Sequence, residues 1–99
     1  MKVSINRLNK AFESRVRLGI MSVLSVNDDI DFISLKKYLT LTDGNLATHL
    51  KALEKQKYIQ IKKSFVGRKP NTCYSITKEG RAAFENHINE LEKLIKTSK

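Results

Sequence analysis

The sequence of 99 residues predicts a small α+β domain on three observations. Leucines recur at helical spacing between Leu41 and Lys57, the apolar pattern then changes to a period of two residues, and helical spacing returns after Thr77. With 40% hydrophobic residues the chain can form one modest core. We therefore expect a single domain over residues 1–99, ordered helix, helix, helix, strand, turn, strand and long helix.

The first predicted element is a helix from Val3 to Val26, either continuous or broken near Asn9. One side of this helix is an apolar stripe, formed by Phe12, Val16, Ile20, Val23 and Leu24. Leu18 and Met21 fall on the other side. A helix that is apolar on two sides is usually covered on both, so we expect a second subunit to provide one of the covers.

Two further helices follow in close succession. The polar residues 27–29 end the first helix, and Asp31 is placed to cap a short helix from Phe32 to Leu39. Only residues 40–41 then precede Thr42, which is placed to cap the next helix. Two helices joined by so short a connection form a helix-turn-helix.

The third helix is predicted from Asp43 to Gln56. Its inner stripe consists of Leu46, Leu50 and Leu53. The opposite side is small, polar or cationic, with no carboxylate at its centre; it carries Gly44, Thr48, Lys51 and Lys55, with Asn45, Ala47 and Ala52 beside them. Such a face suits nucleic acid, although an ordinary solvated surface helix has the same pattern.

The alternation of apolar and polar side chains in residues 59–62 and 73–76 predicts two half-buried strands. The segment 64–71 between them contains Gly67, Arg68, Lys69 and Pro70, which predicts a hairpin tip with two cations. Helix-turn-helix followed by a two-stranded ribbon is the winged helix-turn-helix arrangement. The predicted wing covers residues 62–71.

Thr77 is placed to cap a last helix with a continuous apolar seam, predicted at 78–96. Few residues of the same chain remain to cover that seam, so we expect a homodimer in which the terminal helices, 5–25 and 78–96, take part. The residues assigned to the dimer interface are Leu8, Phe12, Leu18, Met21, Phe84, Ile88, Leu91, Leu94 and Ile95.

The charge of the chain favours a polyanionic partner. Nineteen Lys and Arg residues against ten Asp and Glu residues give a net charge of +9. Residues 36–78 hold ten of the basic and two of the acidic residues, so +8 of the total lies in the predicted helix-turn-helix and wing.

Other classes of function find little support in the sequence. One cysteine, Cys73, excludes an internal disulfide, and without a leader or a long apolar run we expect a cytoplasmic protein with no membrane partner. His49, His87 and Cys73 do not have metal-ligand spacing, so we expect no metal and no cofactor. The chain has no Gly-rich phosphate loop or nucleophile elbow, and we expect no enzyme activity. We interpret Cys73 as an ordinary strand cysteine, with a redox switch as the alternative.

Several segments together resemble the winged-helix DNA-binding domain of small MarR- and ArsR-like transcriptional regulators. The similar residues are Gly44-Asn45-Leu46 with His49-Leu50 in the third helix, Phe65 to Pro70 in the wing, and Tyr74 to Thr77 with Gly80-Arg81 after it. The resemblance covers nearly the whole chain. It implies a third helix in the major groove and a wing at the adjacent minor groove.

The DNA-binding residues that we expect on this basis are Thr42, Gly44, Asn45, Thr48, His49, Lys51, Lys55, Lys62, Lys63, Arg68 and Lys69. Asn45 and Thr48 suit base edges, and the lysines suit phosphates. Asn45 has the alternative of capping the helix, and His49 that of bonding within the domain. Lys62 and Lys63 have the alternative of solvating a sheet edge. For the whole protein the alternatives are a protein-interaction module and non-specific binding of DNA or RNA. The sequence predicts neither the presence nor the absence of a small-molecule effector.

Overall fold

A computed structural model describes residues 5–97 of the chain, and side chains up to residue 96. The elements are a 3₁₀ turn at Lys10–Phe12, α1 at Arg15–Ser25, β1 at Ile30–Asp31, α2 at Phe32–Leu39, α3 at Asp43–Lys55, β2 at Ile59–Val66, β3 at Lys69–Ile76 and α4 at Lys78–Thr97. The three strands form one antiparallel sheet in the order β1-β3-β2. This confirms the α+β class and the winged helix-turn-helix fold.

The helices α2, α3 and α4 start where the sequence predicts, because their capping residues are in place. Asp31, Thr42 and Thr77 each accept a hydrogen bond from a backbone N–H in the first turn, at 2.7, 3.2 and 2.8 Å. These bonds satisfy donors that a helix N-terminus leaves free. The end of α3 lies at Lys55, one residue before the predicted end.

The predicted first helix is wrong over its N-terminal half. Its predicted start at Val3 lies outside the described residues, and α1 begins only at Arg15. Asn9 Oδ1 accepts from Ala11 N at 2.9 Å and starts the separate 3₁₀ turn. Ser14 Oγ accepts from the backbone N–H of Arg17 at 3.4 Å and starts α1. Two polar caps therefore interrupt what the apolar spacing alone would join.

The sheet contains one strand that the sequence did not predict. β1 pairs with β3 through Ile30 opposite Tyr74 and Asp31 opposite Cys73. Two residues are too few to show the two-residue period on which strand prediction rests. The pairing buries Ile30 and places Asp31 at the start of α2.

The hairpin is longer and its turn tighter than predicted. Strands β2 and β3 continue to Val66 opposite Lys69, so the predicted tip at 64–71 is wrong in extent. The turn itself is Gly67-Arg68, and Gly67 has a φ of +67°, which glycine adopts without steric cost. Pro70 is opposite Phe65, next to the hydrogen-bonded pair that flanks the turn, so its ring nitrogen is not needed for the ladder.

The core lies between α1, α2, α3, α4 and one face of the sheet. Its buried residues are Phe12, Ile20, Met21, Leu24, Ile30, Leu35, Leu46, Leu50, Leu53, Ile59, Tyr74 and Phe84. The leucine stripe of α3 is confirmed as its inner side. Phe12, Met21 and Phe84, in contrast, are buried by the same chain and are not available to a second subunit, which corrects three of the residues assigned to the dimer interface.

The start of α4 is held by an aromatic cluster. The ring of Phe12 lies 5.5, 5.8 and 5.2 Å from the ring centroids of Tyr58, Phe84 and His87. Asn9 donates from its backbone N to Nδ1 of His87 at 3.1 Å, and from its Nδ2 to the hydroxyl of Tyr58 at 3.0 Å. The segment before α1 is thereby fixed to Tyr58, the residue before β2, and to α4.

The backbone at Tyr58 also contacts the start of α4. Its carbonyl accepts from Thr77 N at 3.0 Å, and Thr77 Oγ1 donates to the carbonyl of Lys57 at 2.7 Å. A Cβ on Gly80 would lie only 1.9 Å from the Tyr58 carbonyl oxygen, so only glycine permits this approach. We call the following set the α4 junction: Asn9, Phe12, Tyr58, Thr77, Gly80, Phe84 and His87. Among the described residues no helix is both long enough and apolar enough to span a bilayer.

Candidate nucleic-acid interface

The outer side of α3 is open over its whole length. Six of the predicted DNA-binding residues on and before this helix are exposed, namely Thr42, Gly44, Asn45, Thr48, Lys51 and Lys55. Gly44, Thr48, Lys51 and Lys55 lie opposite the buried leucine stripe, and Asn45 lies beside them. A Cβ built on Gly44 would have no neighbouring atom within 4 Å, so no described residue outside α3 packs against Gly44.

Two side chains at the start of α3 can face a base edge. Thr48 Oγ1 donates to the carbonyl of Gly44 at 2.8 Å, and its oxygen can still accept a hydrogen bond. Asn45 does not cap the helix, because Thr42 does so and accepts from the backbone N–H of Asn45. The amide of Asn45 is exposed, with a donor and an acceptor to offer.

A carboxylate at the start of α3 is paired with a cation. Asp43 Oδ1 lies 2.7 Å from Nζ of Lys36, on α2. Both side chains are exposed, so the pair adds little to stability. Its effect on the surface is electrostatic, since it reduces the negative potential beside Gly44.

The wing carries the other predicted cations. Lys62, Lys63, Arg68 and Lys69 are all exposed. Successive residues of a strand point to opposite faces, so Lys63 shares the face of Ile61 and Phe65, while Lys62 points to the other side. No Asp or Glu occurs between Lys55 and Lys78. We call the six exposed residues Thr42, Gly44, Asn45, Thr48, Lys51 and Lys55, together with these four wing cations, the basic face.

His49 is only half-buried and is hydrogen-bonded within the domain. Its Nδ1 accepts from Nε of Arg17 at 3.1 Å, which joins α3 to α1. This is the alternative that the sequence left open for His49. Arg17 was missed by sequence reasoning, because a contact between residues 32 positions apart leaves no local signal.

A cleft of about 330 Å³ lies between α1 and the start of α3. It is lined by Arg15, Val16, Gly19, Leu39, Thr40, Leu41 and Asn45. Arg15, which is exposed at the start of α1, and Asn45 of α3 both line this cleft. Arg15 and Arg17 thus extend the basic surface beyond the residues that the sequence indicated.

Other chemistry has no assembled site in the described part of the chain. Within residues 5–97 no group of three or more His, Cys, Asp or Glu side chains is arranged to hold a metal ion. Cys73 is a free, half-buried cysteine in β3, and Nδ2 of Asn71 lies 3.2 Å from its Sγ.

The chain is similar to known proteins in sequence and in fold. A family model described as winged helix DNA-binding domain matches residues 16–95. The chain belongs to the winged helix DNA-binding domain family. The uncharacterized protein MJ0432 of Methanocaldococcus jannaschii is 42% identical to it over 87 residues, which are 88% of this chain and 95% of that protein.

Solved structures share the same fold. A transcriptional regulator homologue from Pyrococcus horikoshii OT3 superposes with a TM-score of 0.77 at 30% identity, over 87% of this chain and 90% of that one. PadR of Bacillus subtilis, solved in complex with operator DNA, superposes with a TM-score of 0.66 at 15% identity, over 74% of this chain and 47% of that one. At that identity the second likeness concerns the fold alone.

Proposed function

We propose that this protein is a dimeric transcriptional regulator that binds double-stranded DNA at specific sequences. Helix α3, predicted at 43–56 and observed at Asp43–Lys55, would enter the major groove, and the wing, residues 62–71, would lie on the minor groove and the backbone. The observation that carries this proposal is the basic face: its α3 part is exposed, lacks a carboxylate at its centre and borders an acid-free wing. Membership of the winged helix DNA-binding family supports it.

The proposed roles follow from side-chain chemistry. Asn45 and Thr48 read base edges, Gly44 allows the backbone to approach them, and Lys51 and Lys55 bind phosphates. Thr42 lies at the same end of the helix. The wing cations Lys62, Lys63, Arg68 and Lys69 supply charge, and the opposite directions of Lys62 and Lys63 assign them to different parts of the DNA or leave one of them to solvent.

The proposed dimer uses the far half of α4. Ile88, Leu91 and Ile95 are large, apolar and 39%, 38% and 62% exposed. The radius of gyration is 15.2 Å, against about 13 Å for a compact domain of this size, and the longest axis measures 59 Å, so the molecule is elongated. Leu8, Leu18 and Leu94 are half-buried, and Leu18 also packs against the core of its own chain. The interface is therefore centred on α4.

The resemblance to MarR- and ArsR-like regulators belongs to the same proposal. The structural neighbours include a PadR regulator, and at their low identities they bear on the fold and not on the subfamily. We also propose that the protein is cytoplasmic and has no enzyme activity, in keeping with the role of a DNA-binding regulator.

Selection of bound sequences from a random duplex library tests sequence reading. We expect an enriched inverted repeat, and we expect Asn45→Ala or Thr48→Ala to weaken binding to it by about 1–3 kcal/mol while leaving non-specific binding unchanged. Asn86→Ala, which removes an exposed amide from α4, is the matched control. Uniform binding of all duplexes would instead indicate an architectural protein, and no duplex binding would favour a protein-interaction module.

Sedimentation tests the dimer. Leu91→Asp places a charge in the proposed interface and should convert a dimer into a monomer at tens of micromolar. Val26→Asp is the control, because Val26 is exposed at the end of α1. A monomeric unmodified protein would contradict the dimer.

A further inference from the structure

The start of α1 and one side of α3 form a continuous surface next to the basic face. On a helix with 3.6 residues per turn, Asn45 and His49 are one turn apart on the same side of α3. That side faces α1, because Asn45 shares a cleft with Arg15 and His49 bonds to Arg17. Both arginines lie in the first turn of α1, which starts at Arg15.

The bond between Arg17 and His49 fixes a guanidinium at this surface. Nε of Arg17 donates to Nδ1 of His49 at 3.1 Å, so the neutral ring carries its proton on Nε2. The bond uses only Nε of Arg17 and does not engage the two Nη groups of its guanidinium. A guanidinium with free Nη groups binds a phosphate through two parallel hydrogen bonds.

The position of the pair relative to the groove is set by α3. If α3 lies in the major groove, its side with Asn45 and His49 faces one wall of that groove, and the wall is a row of phosphates. Arg15 is exposed and Arg17 is half-buried at that edge. A histidine that bonds to a neighbouring arginine is held in one orientation and holds the arginine in turn, so neither has to be ordered when DNA binds.

We infer that Arg15 and Arg17 form a phosphate-binding site for the DNA backbone, and that His49 is a positioning residue that orients Arg17. The inference rests on the proposed function and adds a third contact region to α3 and the wing. It changes the role of His49, which supports a phosphate contact from α1 and does not read a base.

Dissociation constants for the selected operator and for a scrambled duplex, measured over a series of salt concentrations, test this site. We expect Arg17→Ala to weaken both duplexes by a similar factor, about tenfold, and to lower the salt slope by about one unit. Arg15→Ala combined with Arg17→Ala should lower the slope by about two units. Arg81→Ala is the matched control: Nη1 of Arg81 also donates within the domain, to the carbonyl of Ser25 at 3.2 Å, but at the opposite end of α1.

The positioning role is tested by combining variants. His49→Ala should weaken both duplexes, His49→Gln should restore binding because its amide oxygen can accept from Nε, and His49→Ala should have no further effect once Arg17 is alanine. Arg17→Lys, which keeps the charge, is the second variant if Arg17→Ala folds poorly. Its binding should have the same salt slope as that of the unmodified protein and should not change when His49→Ala is added.

The outcomes separate this inference from the proposed function. If the unmodified protein binds duplex DNA and Arg17→Ala has the same affinity and slope, the phosphate site is wrong and the proposed function stands. If the effects of His49→Ala and Arg17→Ala add, His49 contacts DNA itself and the positioning role is wrong. If the unmodified protein binds no duplex at any salt, the proposed function fails and the site fails with it.

Discussion

The α4 junction and the basic face show opposite uses of polar side chains. At the junction Asn9 uses its backbone N, its Oδ1 and its Nδ2 in three separate hydrogen bonds. No buried side-chain N or O among the described residues lacks a partner. On the basic face the amide of Asn45 and the charges of Lys51 and Lys55 are exposed. Substitutions at the junction should therefore change stability, and substitutions on the basic face should change binding.

The largest expected effect contrasts two phenylalanines. Phe12 is 3% exposed and contacts three other rings, whereas Phe65 is 74% exposed on the wing. Phe12→Ala should lower the free energy of unfolding by about 3–5 kcal/mol, since it removes a large buried side chain and leaves a cavity. Phe65→Ala should leave it nearly unchanged. Urea denaturation measures both, and equal losses would show that the wing is packed in solution.

Two helical glycines provide the next contrast. An added Cβ at Gly80 would meet the backbone carbonyl of Tyr58, and a backbone atom cannot turn aside as a side chain can. Gly80→Ala should therefore cost about 3 kcal/mol. Gly44→Ala should stabilise α3 by about 0.5–1 kcal/mol, because alanine is the better helix former and the site is open. Thermal denaturation of the two variants should shift in opposite directions.

Two threonines provide a third contrast, with a smaller expected effect on stability. Thr77 caps α4 and also donates to the carbonyl of Lys57, so Thr77→Ala should cost about 1–2 kcal/mol. Thr48 bonds only one turn back within its own helix, and Thr48→Ala should change the free energy of unfolding by less than about 0.5 kcal/mol. A large loss for Thr48→Ala would mean that α3 depends on its outer face for stability.

The smallest expected effect depends on pH and lies outside both regions. Hydrogen bonds from the Ser34 hydroxyl and backbone N–H lower the pKa of Asp31 from its ordinary value of 3.8, with a further contribution from the charge of Lys37 and an opposing one from burial. A lowered folded-state pKa gives stability that is fully present above 3.8 and is lost as the pH falls through the folded value. Asp31→Asn keeps the cap and should flatten this acid-side loss. Denaturation midpoints between about pH 5 and pH 2 would show it, with Asp28→Asn as the exposed control.

The sequence predicted those parts of the fold that depend on local signals. The leucine stripe of α3 and the caps Asp31, Thr42 and Thr77 are such signals, and all are observed. Asn9 and Ser14 are also caps. A break near Asn9 was one of the predicted alternatives, but the apolar spacing around Ser14 is continuous and did not indicate the start of α1. β1 has only two residues and is defined by its partner strand, so no local pattern could indicate it.

Exposure of the candidate site was easier to predict than its connections. The residues of the outer face of α3 follow from helical periodicity, and they are exposed as expected. The outer part of the hairpin, residues 64–71, was predicted as its tip because Gly67 and Pro70 are turn residues, and Phe65 and Val66 lie side by side with no alternation to indicate a strand. The bond between Arg17 and His49 depends on how α1 crosses α3, which is a property of the packed core.

The close approach of Tyr58 to α4 has a consequence for how the protein opens. The backbone N–H of Thr77 donates to the Tyr58 carbonyl, which also lies against Gly80, and the Thr77 hydroxyl donates to the carbonyl of Lys57. These contacts join the end of α3, the start of β2 and the first turn of α4. We therefore expect the three segments to separate only together. They form one cooperative unit, and amide exchange at Thr77 should require global unfolding. In the last turns of α4, Leu91 and Ile95 are exposed, and we expect the amides there to exchange by local fraying in the isolated chain.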